Sequence, residues 1–198
     1  MKEKNGIFSM VKLGLILAVY ASVSCFVLAL VNNFTAPKIK QNQIEKINSA
    51  MKEFFPDDGY VFEEVKDFEQ SARGTIKIES VYLAKKDGVI EGGAVQVSGP
   101  TYDTATIFAG VRKDGTIQGI KFLKLTDSPG FGLKANDPTY TLSKSGLTFY
   151  GQFEGMNVND GFTVNETFEA ISGATITSAG IGTLLSEGSA CLLKEFAK

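Results

Sequence analysis

From Leu13 to Val31 the chain reads LGLILAVYASVSCFVLALV, without one charged side chain. At about 1.5 Å of rise per residue, a helix of this length crosses the roughly 30 Å hydrocarbon core of a bilayer. Nothing else in the sequence restricts the fold so strongly, because a segment in lipid must satisfy its backbone hydrogen bonds internally. Lys12 borders the run on one side, and Asn32, Asn33 and Pro37 border it on the other. A cleaved signal peptide carries a shorter apolar core, about 7–15 residues, ending in a small-x-small site. No such site follows here, and Ser22-Val23-Ser24 before Cys25 makes a poor lipidation box. The expectation is one retained transmembrane helix within residues 1–34, preceded by a short tail. The lysines leave its direction open, since Lys2, Lys4 and Lys12 precede the span and Lys38, Lys40 and Lys46 follow it.

Residues 35–60 read as a helical stalk or as the first helix of the following domain. Pro37 suits a first helical turn. Ile39, Ile44, Ile47, Met51 and Phe54/Phe55 recur at near-helical spacing until Pro56-Asp57-Asp58-Gly59 ends the pattern. The acidic residues Asp57, Asp58, Glu63 and Glu64 fit a solvated loop better than a cation site. The remainder, residues 61–198, forms the main domain. Its middle alternates as strands do, over Thr75–Leu83, Val89–Val97, Thr106–Lys113 and Thr116–Lys124. Lys86-Asp87-Gly88 and Asp114-Gly115 supply hairpin turns between them. Ala174–Phe196 then carries Ile181, Leu184, Leu185, Leu192 and Phe196 at helical intervals. The fold class is α+β: a twisted antiparallel sheet with helices packed on one side, behind a single N-terminal transmembrane helix.

The 198 residues include no histidine, which removes Ser-His-Asp and Cys-His catalysis and histidine-bound metals. Two cysteines, Cys25 and Cys191, are too few for a thiolate cluster, and Cys25 lies in the apolar run. No metal site is expected. Twenty Lys and Arg against 22 Asp and Glu leave no basic excess for a nucleic-acid partner. Any redox chemistry here needs an organic cofactor.

Two glycine-marked motifs stand out. Thr126-Asp127-Ser128-Pro129-Gly130-Phe131-Gly132-Leu133-Lys134 follows a strand, and its glycines would let backbone amides approach a ligand; an ordinary Pro-Gly turn has the same spelling. Glu169-Ala170-Ile171-Ser172-Gly173-Ala174-Thr175-Ile176-Thr177-Ser178 opens the terminal helix. Free amides and the helix dipole make that position a seat for a phosphate. Helix capping by Ser172, Thr175 or Thr177 accounts for the same residues.

Ser172-Gly173-Ala174-Thr175, with an acidic residue three positions earlier, resembles the flavinylation motif of the FMN-binding domains of bacterial electron-transport complexes. Asp127-Ser128-Pro129-Gly130-Phe131-Gly132 is similar to that family's acidic-Thr-Pro-Gly-Leu-Gly loop. Three positions depart from the pattern: Glu169 for aspartate, Phe131 for leucine and Ser128 for threonine. The resemblance implies FMN held covalently, by a phosphoester to Thr175, and a separate flavin transferase that attaches it. Ser172 and Thr177 would bond the phosphate, and Gly173 and Ala174 would leave room for the group. Ser128, Gly130, Phe131 and Gly132 would face the flavin, with Lys134 either near its polar edge or simply in solvent, and Tyr102 either lining the site or packed.

The chain's length is similar to that of the G subunits of Rnf-type complexes, membrane ferredoxin:NAD⁺ oxidoreductases that move ions. That likeness implies an electron-carrying role beside other membrane subunits. It also implies an inner-membrane location, with a cytoplasmic tail and the flavin domain outside. Ferredoxin and NAD⁺ sites would belong to those other subunits, since the chain has neither a cysteine cluster nor a dinucleotide fingerprint. Two other readings fit the residues: a membrane-anchored sensor that binds flavin reversibly, and a structural extracytoplasmic component whose motifs are only turns.

Overall fold

A computed structural model describes residues 2–198 of the chain, with side chains described from residue 8 onward. The chain divides into two compact units, one ending at Glu45 and one running from Lys46 to Lys198. Helix α1 spans Lys2–Phe54. In the first unit its described side chains are all exposed, among them Leu17, Tyr20 and Leu28. The most apolar stretch has a mean hydropathy of 2.4 and none of it is buried by protein. A helix this apolar with no protein against it finds its solvent in lipid.

The sequence places helix punctuation at Asn32, Asn33 and Pro37, yet α1 runs on through all three. One proline removes one N–H and the bond it would make, while the helix on either side is already nucleated. Next to that break the Thr35 hydroxyl bonds back to the carbonyl of Val31.

In the second unit, five antiparallel strands follow in sequence order: β1 (Tyr60–Val65), β2 (Lys77–Lys86), β3 (Val89–Pro100), β4 (Thr104–Arg112) and β5 (Ile117–Leu125). Both expected hairpins form. Asp87 and Gly88 take φ of 51° and 79°, which closes β2 onto β3 with Lys86 opposite Val89. Arg112 and Thr116 pair across Asp114-Gly115. Strand β1 is the addition: the acidic segment expected as a loop pairs Glu63 with Leu83 and Glu64 with Tyr82. Charged residues on an exposed edge strand discourage pairing with a further chain, so their presence is compatible with a strand.

Helix α2 (Thr175–Phe196) lies on one face of the sheet. There Ile181, Leu184, Leu185 and Leu192 meet Val95, Val97, Ile107 and Ala109. The opposite face is covered too, which corrects the expectation of helices on one side only. The last turns of α1 bury Ile47, Ala50, Met51, Phe54 and Phe55 against Ala84, Ala94 and Phe108. Alternation explains the two faces: Ile107 and Ala109 point toward α2, and Phe108 between them points away. The Phe54 ring lies on paired glycines, because a Cβ on Gly110 or Gly119 would stand 2.4 or 2.8 Å from it.

Between β5 and α2 the chain is irregular, with three short 3-10 turns. Its anchor is aromatic. Phe149, Phe153 and Phe168 pack with ring centroids 5.1–6.2 Å apart, and the first two are fully buried. This packing brings the long connection back to the start of α2.

Candidate functional site

The two glycine motifs build similar turns and the fold sets them side by side. In Ser128-Pro129-Gly130-Phe131 the Phe131 amide donates to the Ser128 carbonyl at 3.3 Å, with Gly130 at φ 76°. In Ile171-Ser172-Gly173-Ala174 the Ala174 amide donates to the Ile171 carbonyl at 2.9 Å, with Gly173 at φ 80°. Each glycine occupies the third turn position, where a positive φ is required. The turns meet at Phe131, whose ring would lie 3.4 Å from a Cβ on Gly173.

Between them opens a cavity of about 570 Å³. That size falls in the range of small-molecule sites, about 300–1,000 Å³. Ser128, Pro129, Phe131 and Gly132 line it from the first motif; Gly173, Ala174, Thr175, Ile176 and Thr177 line it from the second. Tyr102, at the β3–β4 turn, is the third wall and is exposed rather than packed. Tyr102, Phe131 and Ile176 offer large apolar side chains to solvent around this opening, exposed to 67%, 56% and 63%. Such a rim suits a flat aromatic ligand.

The start of α2 is free for an anion. Its cap position is Ala174, and no side chain caps the helix. The first-turn amides, which have no intrahelical acceptor, therefore face the cavity's end of the helix with the positive pole of the dipole. The hydroxyls expected as caps are placed otherwise. Thr177 is 2% exposed and donates to Asp127 Oδ2 at 2.5 Å. Ser178 is fully buried, donates to the Ala174 carbonyl and accepts from the Ile171 amide, both at 3.0 Å. Thr175 is exposed on the cavity, and among the described residues no hydrogen bond engages its hydroxyl. Ser172 is exposed in the preceding turn and does not line the cavity.

Three residues of the two motifs have neighbours beyond the cavity. Gly132 is buried, and a Cβ there would come within 2.6 Å of both Asp127 Oδ2 and the Thr177 hydroxyl; its missing side chain makes room for that pair. Lys134 lies outside the cavity, with its ammonium 5.0 Å from the centre of the Tyr140 ring. Glu169 is turned away from Thr175's cavity. Its carboxylate accepts from the Ser143 hydroxyl at 3.0 Å and from the amides of Lys144 and Ser145 at 3.1 Å. Desolvation raises its pKa, but those donors outweigh it and hold the carboxyl below its ordinary value.

The residue that sequence reasoning passed over is Asp127, quoted only as part of its motif. It is 2% exposed. Burial pushes its pKa up; hydrogen bonds from Thr101, Thr177 and the amides of Asp103 and Tyr102 more than reverse this, and the group ionises below the usual aspartate range. Its acidic character was legible, but the partners that converge on it come from two distant segments, residues 101–103 and the start of α2.

Residues 1–54 match the RnfG N-terminal region, and residues 101–188 match the FMN-binding domain. The chain is 34% identical to the G subunit of the Na(+)-translocating ferredoxin:NAD(+) oxidoreductase complex of Acetobacterium woodii, across 86% of this chain and 85% of that one. It is 29% identical to the G subunit of the ion-translocating oxidoreductase complex of Vibrio cholerae, across 86% and 84%. For the corresponding protein of Pseudomonas aeruginosa the identity is 26%, across 87% and 84%. With a membrane-spanning helix ahead of an FMN-binding domain, the chain belongs to the RnfG family, the G subunits of ion-translocating oxidoreductase complexes.

Proposed function

We propose that this RnfG-family chain is an electron carrier, with FMN joined to Thr175 through a phosphoester. One observation carries the assignment. Of the three hydroxyls in the first turn of α2, those of Thr177 and Ser178 are buried and engaged, and that of Thr175 is exposed beside the cavity. The residues around it fit the group: an uncapped helix start for the phosphate, and Tyr102, Phe131 and Ile176 for an aromatic ring. When bound, FMN supplies one-electron transfer.

The chain's own residues attach, orient and shield. First-turn amides of α2 hold the phosphate charge, and Ser172 stands in the exposed turn that leads into them. Ser128 offers a hydroxyl at the cavity wall, and Pro129 and Phe131 keep water from one side. Thr175 needs help to react, since a threonine hydroxyl is a weak nucleophile without a base. No histidine exists in the chain, and Glu169 is committed to the turn at residues 143–145. A separate flavin transferase acting on FAD answers that need. In such a transfer Thr175 would supply the oxygen that takes the flavin phosphate, AMP would leave, and the hydroxyl proton would pass to the transferase's base.

The role in a complex rests on the relatives. By their names they are subunits of ion-translocating oxidoreductases, one of them a ferredoxin:NAD(+) enzyme. Other subunits of an Rnf-like complex are the proposed partners, and they carry the ferredoxin and NAD⁺ sites. We assign the chain to the inner membrane as a single-pass protein, with the flavin domain on the extracytoplasmic side.

The test is the mass of the intact protein made together with a flavin transferase. One FMN phosphoester increment is expected on the unmodified chain, and peptide mapping should find it on the peptide containing Thr175. An increment on Thr177 or Ser178, or flavin that leaves completely on denaturation, overturns the assignment.

A further inference from the structure

One carboxylate ties together all three walls of the cavity. Asp127 Oδ1 accepts from the Thr101 hydroxyl at 2.6 Å and from the Asp103 amide at 2.9 Å. Its Oδ2 accepts from the Thr177 hydroxyl at 2.5 Å and from the Tyr102 amide at 3.4 Å. Thr101, Tyr102 and Asp103 belong to the β3–β4 turn that presents Tyr102. Asp127 itself begins the Pro-Gly loop that presents Ser128 and Phe131. Thr177 lies in the first turn of α2, two residues after Thr175.

Packing alone does not explain a charge here. The group is buried, and among the described residues no cation forms an ion pair with it. A buried charge is costly, and a fitted apolar residue is often the more stable choice. What an apolar residue lacks is four acceptor positions turned to two other segments, the β3–β4 turn and the start of α2. Gly132 adds a second mark of the same arrangement, because any side chain there would strike Asp127 and Thr177 together. Asp127 does not line the cavity, so it acts on the site through the walls.

We infer that Asp127 is a positioning residue that holds the β3–β4 turn, the Pro-Gly loop and the start of α2 in the one arrangement that presents Thr175 for flavin attachment. The inference rests on Thr175 as the acceptor. It makes the site preformed before any flavin arrives, so its loss loosens the walls of the empty protein and slows loading. Asp127→Asn is the direct probe, since the amide keeps the shape but presents one acceptor oxygen in place of two. Thr177→Val removes one arm alone, and Thr177→Ser keeps the hydroxyl.

The experiment uses the full-length chain in detergent, made without transferase. Amide hydrogen exchange is read first; transferase and FAD are then added, and the FMN mass increment is followed in time. In Asp127→Asn, exchange should quicken at residues 101–103, 128–132 and 175–178, with the strands of the sheet unchanged. Loading should slow roughly tenfold, the effect of losing one hydrogen bond to a charged group. Thr177→Val should slow it less, and Thr177→Ser should restore the wild-type rate. Wild-type exchange and loading in Asp127→Asn overturn the inference. If Asp127→Asn loosens the sheet as well, the Thr177 pair decides: slow Val with normal Ser supports the positioning role, and equal rates reject it. A wild-type chain that gains no mass refutes the Thr175 phosphoester alone, and the exchange pattern then decides the role of Asp127 by itself.

Discussion

Helices α1 and α2 both pass a length-and-composition test for crossing a membrane, and they do opposite things. The apolar stretch of α1 has a mean hydropathy of 2.4 and is bare; that of α2 has 1.2 and is 56% buried in protein. The difference is in pattern. Between Leu13 and Val31 no face of α1 is set apart by charge, whereas α2 alternates a buried stripe of Ile181, Leu184, Leu185 and Leu192 with exposed positions. One helix therefore buries itself in lipid and the other in a sheet. The lesson extends to function, because only the helix fixed in protein can aim its first turn at a cavity.

Truncation breaks the comparison most severely, and it does so within α1 itself. Removing residues 1–33 should release the chain from the membrane fraction as a folded domain, since every side chain lost among the described residues is exposed. Removing residues 1–55 also takes Ile47, Met51, Phe54 and Phe55 from the second core cluster. Each such loss costs about 2–5 kcal/mol, so the four together, about 8–20 kcal/mol, are as large as the roughly 5–15 kcal/mol that holds a typical domain. Cooperative thermal unfolding should survive the first cut and vanish with the second. A longer deletion that still melted cooperatively would show that this cluster is dispensable.

A single substitution in each helix sharpens the contrast. Leu184 is fully buried, so Leu184→Ala should destabilise the domain by about 2–5 kcal/mol. Leu17 is 68% exposed, and Leu17→Ala should leave the same chemical-denaturation midpoint unmoved. Equal effects would mean that α1 has protein around it that the isolated chain lacks.

Much of this division was legible in the residues. The charge-free run, the two Asp-Gly hairpins and the buried stripe of α2 each depend on local pattern, and each took the form expected of it. Tertiary facts were not legible. Glu63 and Glu64 spell a loop until an edge strand gives them solvent on one side. The bury-or-expose choice depends on glycines in the sheet, at Phe54 on Gly110 and Gly119 of β4 and β5 and at Phe55 on Gly92 of β3. At the site, both motifs are visible as glycine signals, but the second demand on Gly132, room for the Asp127–Thr177 pair behind the cavity wall, is not, because Thr177 is distant in sequence. For Lys134 the sequence leaves the flavin's edge and solvent both open, and the fold sets its ammonium over the Tyr140 ring.

Acid titration separates the start of α2 from its middle. Asp127 ionises below its unfolded value of about 3.9, because its hydrogen-bond donors outweigh the effect of burial. A depressed folded pKa adds stability that is complete above the unfolded value and is lost as pH falls through the folded one. Asp127→Asn should therefore cost about 1–3 kcal/mol near neutrality and should flatten the loss of stability below about pH 4. Leu184→Ala should lower the whole curve without changing its acid slope. An acid limb in Asp127→Asn as steep as the wild type's would mean that other carboxylates, Glu169 among them, carry the effect.

Thr175→Ala should have the smallest effect on stability and the most complete effect on the cofactor. The side chain is exposed and does not cap α2, so its loss should change the unfolding free energy by less than about 0.5 kcal/mol. Had Thr175 been a cap, the same substitution would cost about 0.5–2 kcal/mol, and lost flavin would be ambiguous between chemistry and a frayed helix. The structure removes that ambiguity by giving the cap position to Ala174. The measurement pairs a melting curve of the flavin-free protein with the intact mass after exposure to transferase and FAD. An unchanged midpoint with no FMN increment assigns the loss to the hydroxyl itself. Thr175→Ser, which restores a hydroxyl at the same turn of helix, should regain part of the increment. A Thr175→Ala chain that still gained the full FMN mass would move the attachment elsewhere, to Ser172 before any other residue, since it is the exposed hydroxyl in the adjoining turn.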